Sequence, residues 1–347
     1  MNISVVIPVF NAQDTILDCL RSLNEQEVLP YEVILVNNNS TDNTIDGMKE
    51  FCENKEFNII LINEIKKGAA AARNVGIKLA KGDIVAFTDA DCVVRKDWIR
   101  NILYRFNNDN ELSSIGGKVE SYKPGTYIEK FISLFRSEEF PYKENPVKLD
   151  LLQYGIHIAT LNAAYKKEIL FKHNLFNESC MVVEDLDLYL RVVNSNDKVI
   201  AGDPDIVVYH IERKKLKPFI KKIAQYRLYV GSIIKRYFAN EIIILLPAHR
   251  LIHRNLKYIT VWIESPLKIL VTFVSFVTCV LLYRHIYYLL LIIFLLGVIN
   301  ILWYLRKIGS SFTFKDLPQI IFLSFLQSLI SGFLKIYSSL RYKLIYL

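Results

Sequence analysis

The sequence predicts an α/β protein: a doubly wound, mostly parallel sheet, followed by a C-terminal all-α membrane region. Three observations lead there. The N-terminal third alternates short apolar runs with amphipathic stretches in βαβα order. Its polar clusters fall where those apolar runs end. The formal net charge of +8 is gathered in one segment, directly ahead of three long apolar runs.

Residues 3–9 form an almost continuous apolar run, as a strand buried on both faces requires. Residues 12–26 follow with Ile16, Leu17, Leu20 and Leu23 at helical spacing behind Asn11, a capping residue type. Residues 32–36 predict the second strand, and 41–51 a helix behind Ser40. A third strand is expected over 58–62. An Ala-rich helix then runs over 69–81 and stops at Gly82. The fourth strand is 84–88, and 96–106 is again helical. No internal repeat is visible.

In open α/β sheets ligands bind outside the carboxyl ends of the strands. Asn11 lies after the first strand, 37–42 after the second and Asp89-Ala90-Asp91 after the fourth, and none of these clusters lies at an amino end. The first strand leads into Pro8-Val9-Phe10-Asn11 and not into G-x-G-x-x-G, which disfavours a redox dinucleotide. Five scattered cysteines with no C-x-x-C spacing disfavour a disulfide scaffold and a zinc site.

Between His210 and Thr260 twelve Lys and Arg face two acids, Glu212 and Glu241, a local balance of +10. The remainder of the chain is therefore slightly acidic. Three apolar stretches follow, at 265–283, 286–305 and 317–336. The middle one holds 20 residues without a formal charge, about 30 Å of helix and enough for a hydrocarbon core. Arg284 and His285 between the first two suggest a tight hairpin. The third carries Gln319, Gln327 and several serines, and either spans or lies at the interface. The expected organisation is a catalytic domain over 1–210, basic amphipathic interfacial helices over 211–262 and a transmembrane region over 263–347. Basic flanks on both sides of the hairpin put the N-terminal domain in the cytoplasm of a multi-pass cell-membrane protein, with no signal peptide expected. Beside such spans, anionic headgroups are a better partner for the basic segment than nucleic acid.

Asp89 and Asp91 can bracket a hard cation, Mg²⁺ or Mn²⁺, with a substrate phosphate completing its shell. The plainer alternative is a polar turn. Glu184-Asp185 opens a helix over 186–193, where the macrodipole keeps a carboxylate ionised and fit to act as a base. An ordinary acidic first turn is the alternative. Lys67-Gly68 and the Ala-rich run before Arg73-Asn74 suit close approach of a phosphate, or else simply tight helix packing. His210 closes an apolar strand over 206–209, where a structural role is the commoner one. A helix over 126–140 places Tyr127, Phe131, Leu134 and Phe135 on one face, for the membrane or for a core.

Together, 4–11 (SVVIPVFN), Ser40-Thr41-Asp42, 67–77 (KGAAAARNVGI), 88–91 (TDAD) and 184–191 (EDLDLYLR) resemble the family 2 inverting glycosyltransferases of GT-A fold. The resemblance covers about residues 1–235. It implies transfer of a sugar from a nucleotide-sugar donor, UDP- or GDP-linked, with inversion at the anomeric carbon. By resemblance, Asp185 is the base with Glu184 beside it. Asp89, Asp91 and His210 hold the metal. Pro8, Phe10, Asn11, Asn37, Asn39, Asp42, Lys67, Arg73, Asn74 and Asp89 meet the donor. Asn37-Asn38-Asn39 departs from the family, which usually has Asp there. Asn both donates and accepts hydrogen bonds where Asp only accepts, so the base preference is open.

A phosphate acceptor needs no base, so the Glu184-Asp185 pair favours a hydroxyl on a lipid-linked acceptor, as in cell-surface glycan assembly. A polyprenyl- or dolichyl-phosphate glycosyltransferase is the alternative, and an inactive membrane-anchored nucleotide-binding scaffold a lesser one.

Overall fold

A computed structural model describes residues 1–52, 57–136, 142–147, 157–238, 241–246, 250–255, 261–263 and scattered positions between 319 and 346. The chain divides into two compact units, one of residues 1–124 and 135–212, the other of 125–134 and 213–347.

The first unit is built on one mixed sheet. Strands β1 (Ile3–Val9), β2 (Glu32–Asn37), β3 (Asn58–Asn63) and β4 (Ile84–Thr88) pair in parallel in the order β3-β2-β1-β4. Helices α1 (Ile16–Asn24), α2 (Thr44–Cys52) and α3 (Ala69–Leu79) make the crossovers. These are the elements expected from the apolar periodicity, with ends shifted by a few residues.

Beyond β4 the sheet is less parallel than expected. It continues through β8 (Asn162–Lys166), β6 (Leu112–Ser121) and β9 (Lys198–His210) to β5 (Cys92–Val94), with β7 (Lys143–Glu144) paired on β9. The β4–β8, β6–β8, β5–β9 and β7–β9 ladders are antiparallel, while β6–β9 is parallel with register shifts. Helix α4 (Trp98–Asn108) follows β5, and α6 (Lys167–Lys172) and α7 (Glu184–Asn194) follow β8.

Both faces of the parallel half are covered. Val5, Ile7 and Val9 share a core with Ile16, Leu20 and Leu23 of α1, Met48 of α2 and Trp98, Ile102 and Phe106 of α4. Val6 points the other way, to α3. A Cβ added at Gly76 would stand 2.3 Å from Val6 Cγ1, so this helix lies too close to β1 for any side chain there. Gly76 therefore serves packing on the sheet.

The amino edge of the sheet also carries a buried polar group. Glu32 Oε1 accepts hydrogen bonds from Ser4 Oγ at 2.7 Å and from the Lys81 amide at 2.6 Å, and Ser4 Oγ accepts from the Gly82 amide at 2.8 Å. These groups tie the α3–β4 turn to β1 and β2. Elsewhere Asp197 pairs with Lys172 Nζ at 2.6 Å and His173 Nε2 at 2.7 Å, fastening the end of α6.

The second unit includes α5 (Tyr127–Arg136) through Leu134, and α8 (Leu216–Tyr237). Thr126 and Glu129 cap α5 reciprocally: Glu129 Oε2 accepts the Thr126 amide at 2.7 Å, and Thr126 Oγ1 accepts the Glu129 amide at 3.3 Å. Phe131 is fully buried, with its ring edge-on to Phe219 of α8 at 5.8 Å. The apolar face of α5 at Phe131 is thus core, not membrane contact. Helix α8 buries Phe219, Val230, Ile233 and Ile234 and exposes Lys217, Lys221, Lys222 and Lys235.

The expected helices of 211–262 end at Tyr237. Strands β10 (Glu241–Leu246), β11 (Arg250–Asn255) and β12 (Val261–Ile263) follow, joined by β13 (Ile345–Tyr346) in the order β11-β10-β12-β13. Three consecutive isoleucines in β10 favour extended backbone. The expected spans 265–283 and 286–305 lie outside the described residues, as does much of 317–336. Among the described residues no helix is long and apolar enough to cross a membrane. Cys19 and Cys92 are buried thiols.

Two consequences can be measured. Gly76→Val should cost about 1–3 kcal/mol through overpacking against Val6, read as a lower urea midpoint. Burial pulls the Asp197 carboxyl up, but the hydrogen bonds from Lys172 and His173 outweigh it and hold the group below its ordinary 3.8. Its stabilisation is therefore complete above that unfolded-state value and is lost as pH falls through the lower folded-state value. Asp197→Asn should remove this contribution, flattening the urea midpoint against pH below about pH 4.

Candidate active site

At the carboxyl edge of the parallel strands the loops are stitched to one another. Asn11, in the left-handed region at φ +47°, accepts the Thr41 amide at 2.8 Å, and its own amide donates to Ser40 Oγ at 3.1 Å. Asp42 accepts the amides of Gln13 at 3.3 Å and Thr44 at 3.2 Å. Slight burial opposes ionisation of Asp42, but the Thr44 hydroxyl and these amides hold its carboxyl below the usual range. Pro8 lies within β1 opposite Val36, Phe10 is exposed, and Lys67 is exposed at the mouth of α3.

The three asparagines at the end of β2 spend their amides inside the chain. Asn37 Nδ2 donates to Asn63 Oδ1 at 2.8 Å, and its Oδ1 accepts the Ser40 amide at 3.3 Å. Asn38 Nδ2 donates to the Glu64 and Lys66 carbonyls at 2.9 and 2.7 Å, while its Oδ1 accepts the Gly68 amide at 2.8 Å. Asn39, at φ +65°, reaches the Glu64 and Ile65 carbonyls. An aspartate at 38 could not donate those bonds. The run thus shapes 64–68, the segment that delivers Gly68, at φ +127°, and helix α3.

Arg73 and Asn74, expected to meet the donor, are both buried side chains with partners inside the chain. Asn74 is buried, donating to the Phe176 carbonyl at 2.9 Å and Glu178 Oε1 at 2.8 Å and accepting the Phe176 amide at 2.9 Å. Arg73 is 3% exposed and forks between Glu184 Oε1 at 2.6 Å and Asp89 Oδ1 at 2.7 Å. Its guanidinium carbon stands 5.8 Å from the centre of the Phe176 ring. Burial opposes the cation, but Asp89 and Glu184 more than offset it and keep the guanidinium charged. Burial, with help from Asp185, pushes the Glu184 carboxyl above its ordinary value against the pull of Arg73.

Glu184 and Asp185 therefore divide their roles. Glu184 is buried and bound to Arg73. Asp185, next in sequence on the first turn of α7, is only half-buried and accepts the Leu186 amide at 2.8 Å. Further along the helix, Asp187 holds Arg191 at 2.9 Å, and Arg191 donates to the His173 and Leu175 carbonyls. The second half of the EDLDLYLR run is thus an anchor for the helix that carries the acids.

His210 ends β9 opposite Cys92 of β5, which sets its ring beside Asp91. His210 Nε2 lies 3.5 Å from Asp91 Oδ2, and its Nδ1 lies 3.1 Å from Glu212 Oε2. Among the described residues no three His, Cys, Asp or Glu side chains form a metal-holding group. Of the expected trio, Asp91 stands beside His210, while Asp89 binds Arg73 through its Oδ1. A carboxylate and an imidazole fit Mn²⁺ or Mg²⁺ when phosphate oxygens and water supply the other ligands.

Sequence reasoning passed over Phe176, Glu178 and Glu212. The first two lie eight and six residues ahead of Glu184, outside the motif that begins there. Glu212 had a readable signal, since it stands two residues beyond His210, the spacing that returns to one side of an extended chain.

Residues 4–171 match the family model described as Glycosyl transferase family 2. The chain is 34% identical over 135 residues to Glycosyltransferase AglE of Haloferax volcanii, covering 38% of this chain and 44% of that relative. It therefore spans less than half of AglE. Over 250 residues it is 26% identical to the dolichyl N-acetyl-alpha-D-glucosaminyl phosphate 3-beta-D-2,3-diacetamido-2,3-dideoxy-beta-D-glucuronosyltransferase of Methanococcus voltae, covering 69% of this chain and 75% of the relative. Over 198 residues it is 28% identical to the UDP-Glc:alpha-D-GlcNAc-diphosphoundecaprenol beta-1,3-glucosyltransferase WfgD of Escherichia coli, covering 56% and 71%.

Among solved structures, the mannosyltransferase PcManGT from Pyrobaculum calidifontis, in complex with GDP-Man and Mn²⁺, superposes with a TM-score of 0.50 at 20% identity, covering 66% of this chain and 62% of that one. S. aureus TarS in complex with UDP-GlcNAc gives 0.50 at 19% identity, covering 68% and 67%. At such identities the likeness is one of fold.

The buried fork sets a stability test. Arg73→Met leaves Glu184 buried without its counter-ion and should cost about 3–5 kcal/mol. Adding Glu184→Leu should recover most of that loss, since an apolar pair of similar volume replaces both charges. Chemical denaturation of the two variants reads the difference.

Proposed function

We propose that this chain is a membrane-bound inverting glycosyltransferase, moving a sugar from a nucleotide-sugar donor to a hydroxyl of a lipid-linked acceptor. The observation that carries the reading is the pairing of Glu184 with Asp185. One carboxylate is buried on Arg73, and its neighbour stays half-open on the first turn of α7. Through Arg73 that turn is joined to Asp89, at the edge where the fold presents ligands.

The two acids suit a single displacement. Asp185 takes the proton of the attacking hydroxyl as that oxygen bonds to the anomeric carbon on the face opposite the nucleotide. A divalent cation, when bound, would neutralise the charge that develops on the diphosphate leaving group. Asp91 and His210 are the residues to hold it. Arg73 keeps Asp89 and the α7 turn in fixed register, so that base and donor edge are aligned before the reaction. The loops held by Asn11, Asn37, Asn38, Asn39 and Asp42 line the donor side, with Phe10 and Lys67 exposed there.

The acceptor class is supported from two directions. The names of the M. voltae and E. coli relatives describe transfer onto sugars carried by dolichyl phosphate and by diphosphoundecaprenol. The exposed lysines of α8 and the apolar runs after residue 264 suit an enzyme that works at a cytoplasmic membrane face. The β-linkages in both names are what a single displacement yields from an α-linked donor.

The test is a panel of labelled UDP- and GDP-sugars with Mg²⁺ or Mn²⁺, offered with polyprenyl-diphosphate-linked sugar and with polyprenyl phosphate alone. Product on the lipid-linked sugar is expected. Product on polyprenyl phosphate alone would redirect the reading to a polyprenyl-phosphate glycosyltransferase. Asp185→Asn should lower turnover by at least about 100-fold while donor affinity, measured by calorimetry, stays near wild type. Near-normal transfer by that variant would overturn the assignment of the base.

A further inference from the structure

We infer that Glu212 is a positioning residue for His210, holding the imidazole so that its Nε2 presents a lone pair on the Asp91 side. The inference rests on the proposed use of Asp91 and His210 toward a divalent cation, and concerns a residue that this use does not itself require.

The backbone of His210 is pinned on both sides. Its carbonyl accepts the Tyr122 amide at 2.8 Å, and the Ile211 amide donates to the Asp91 carbonyl at 2.8 Å. Antiparallel pairing with Cys92 fixes the strand in between. The ring is then set by Glu212, whose side chain is 1% exposed. Glu212 Oε1 accepts Ser121 Oγ at 2.9 Å, and Oε2 faces His210 Nδ1 at 3.1 Å. A carboxylate offers only acceptors, so the contact places a proton on Nδ1, and in the neutral ring the lone pair is then on Nε2, the nitrogen on the Asp91 side. A carboxylate behind a histidine fixes both ring orientation and tautomer. Glu212 is buried behind the ring, whereas Asp91, on its other side, remains open to solvent.

Ser121, Glu212 and His210 come from the ends of β6 and β9, which pair Ser121 with His210. The β6–β9 ladder thus builds the support behind the ring, and the β5–β9 ladder brings up Asp91 in front.

The experiment titrates the full chain with Mn²⁺ in the absence of donor, counting free Mn²⁺ by EPR, for wild type, Glu212→Gln, His210→Ala and the double variant. The thermal midpoint without metal is recorded for each. Glu212→Gln keeps the side-chain volume and is expected to weaken Mn²⁺ binding at least about 10-fold. In the His210→Ala background the same change should add nothing, a coupling that a merely structural role would not produce. Wild-type affinity in Glu212→Gln, or the same fold-loss in both backgrounds, overturns the inference while leaving the proposed function standing. No Mn²⁺ uptake by the wild-type chain overturns this inference, while use of a cation whose shell the donor phosphate completes is read separately from the donor panel. Should Glu212→Gln fail to fold, Ser121→Ala, which loosens Glu212 without removing it, takes its place. An unchanged Mn²⁺ affinity in that variant then overturns the inference.

Discussion

A guanidinium with almost no access to water must be matched by charge from the protein, and Arg73 is matched twice. Glu184 and Asp89 come from different elements, the first turn of α7 and the loop after β4. Holding both carboxylates at hydrogen-bond distance from one planar fork fixes their separation and orientation together. Coulomb attraction at low effective dielectric makes the arrangement costly to break from either side. Asp185 follows Glu184 directly on the helix, so its placement at the open edge is a consequence of where Arg73 sits.

Arg73 in turn depends on α3 lying close to the sheet. Gly76 allows that approach, because a single added carbon would collide with Val6. The entry to α3 is set by Asn38, which binds two carbonyls and one amide of 64–68. Close packing and complete hydrogen bonding thus converge on one cation. The amides of Asn37 and Asn38 are consumed in shaping the loops, while Phe10, Asn11, Thr41 and Lys67 are exposed on that side.

The other half of the site is organised by antiparallel pairing. Strand β9 carries His210 between β6 and β5, and each ladder contributes one side of the histidine environment, Ser121 behind the ring and Asp91 in front. The second unit follows a different logic. Its long helix α8 separates an apolar face, packed on Phe131 of α5, from a face of lysines. That separation gives the concentration of positive charge in the sequence a physical location.

The parallel strands β1 to β4 and their helices were legible in the sequence because burial on both faces demands unbroken apolar runs, and amphipathic helices show the period of their buried stripe. The carboxyl edge was legible for the same reason, since polar clusters after apolar strands have one place to go. Strands β6 and β8 were not: LSSIGGKVES and NAAYK owe their extended form to neighbours already in the sheet, and no periodicity announces them. Strand β10 shows the reverse error, a basic context suggesting helix where three isoleucines pair as a strand. The acids Asp89, Asp91, Glu184 and Asp185 could be named as candidates from residue type and position. Which of them an arginine claims and which faces solvent were decided only by tertiary structure. Those outcomes depend on distances between residues 16 to 111 positions apart in the chain, and local sequence carries no measure of such distances.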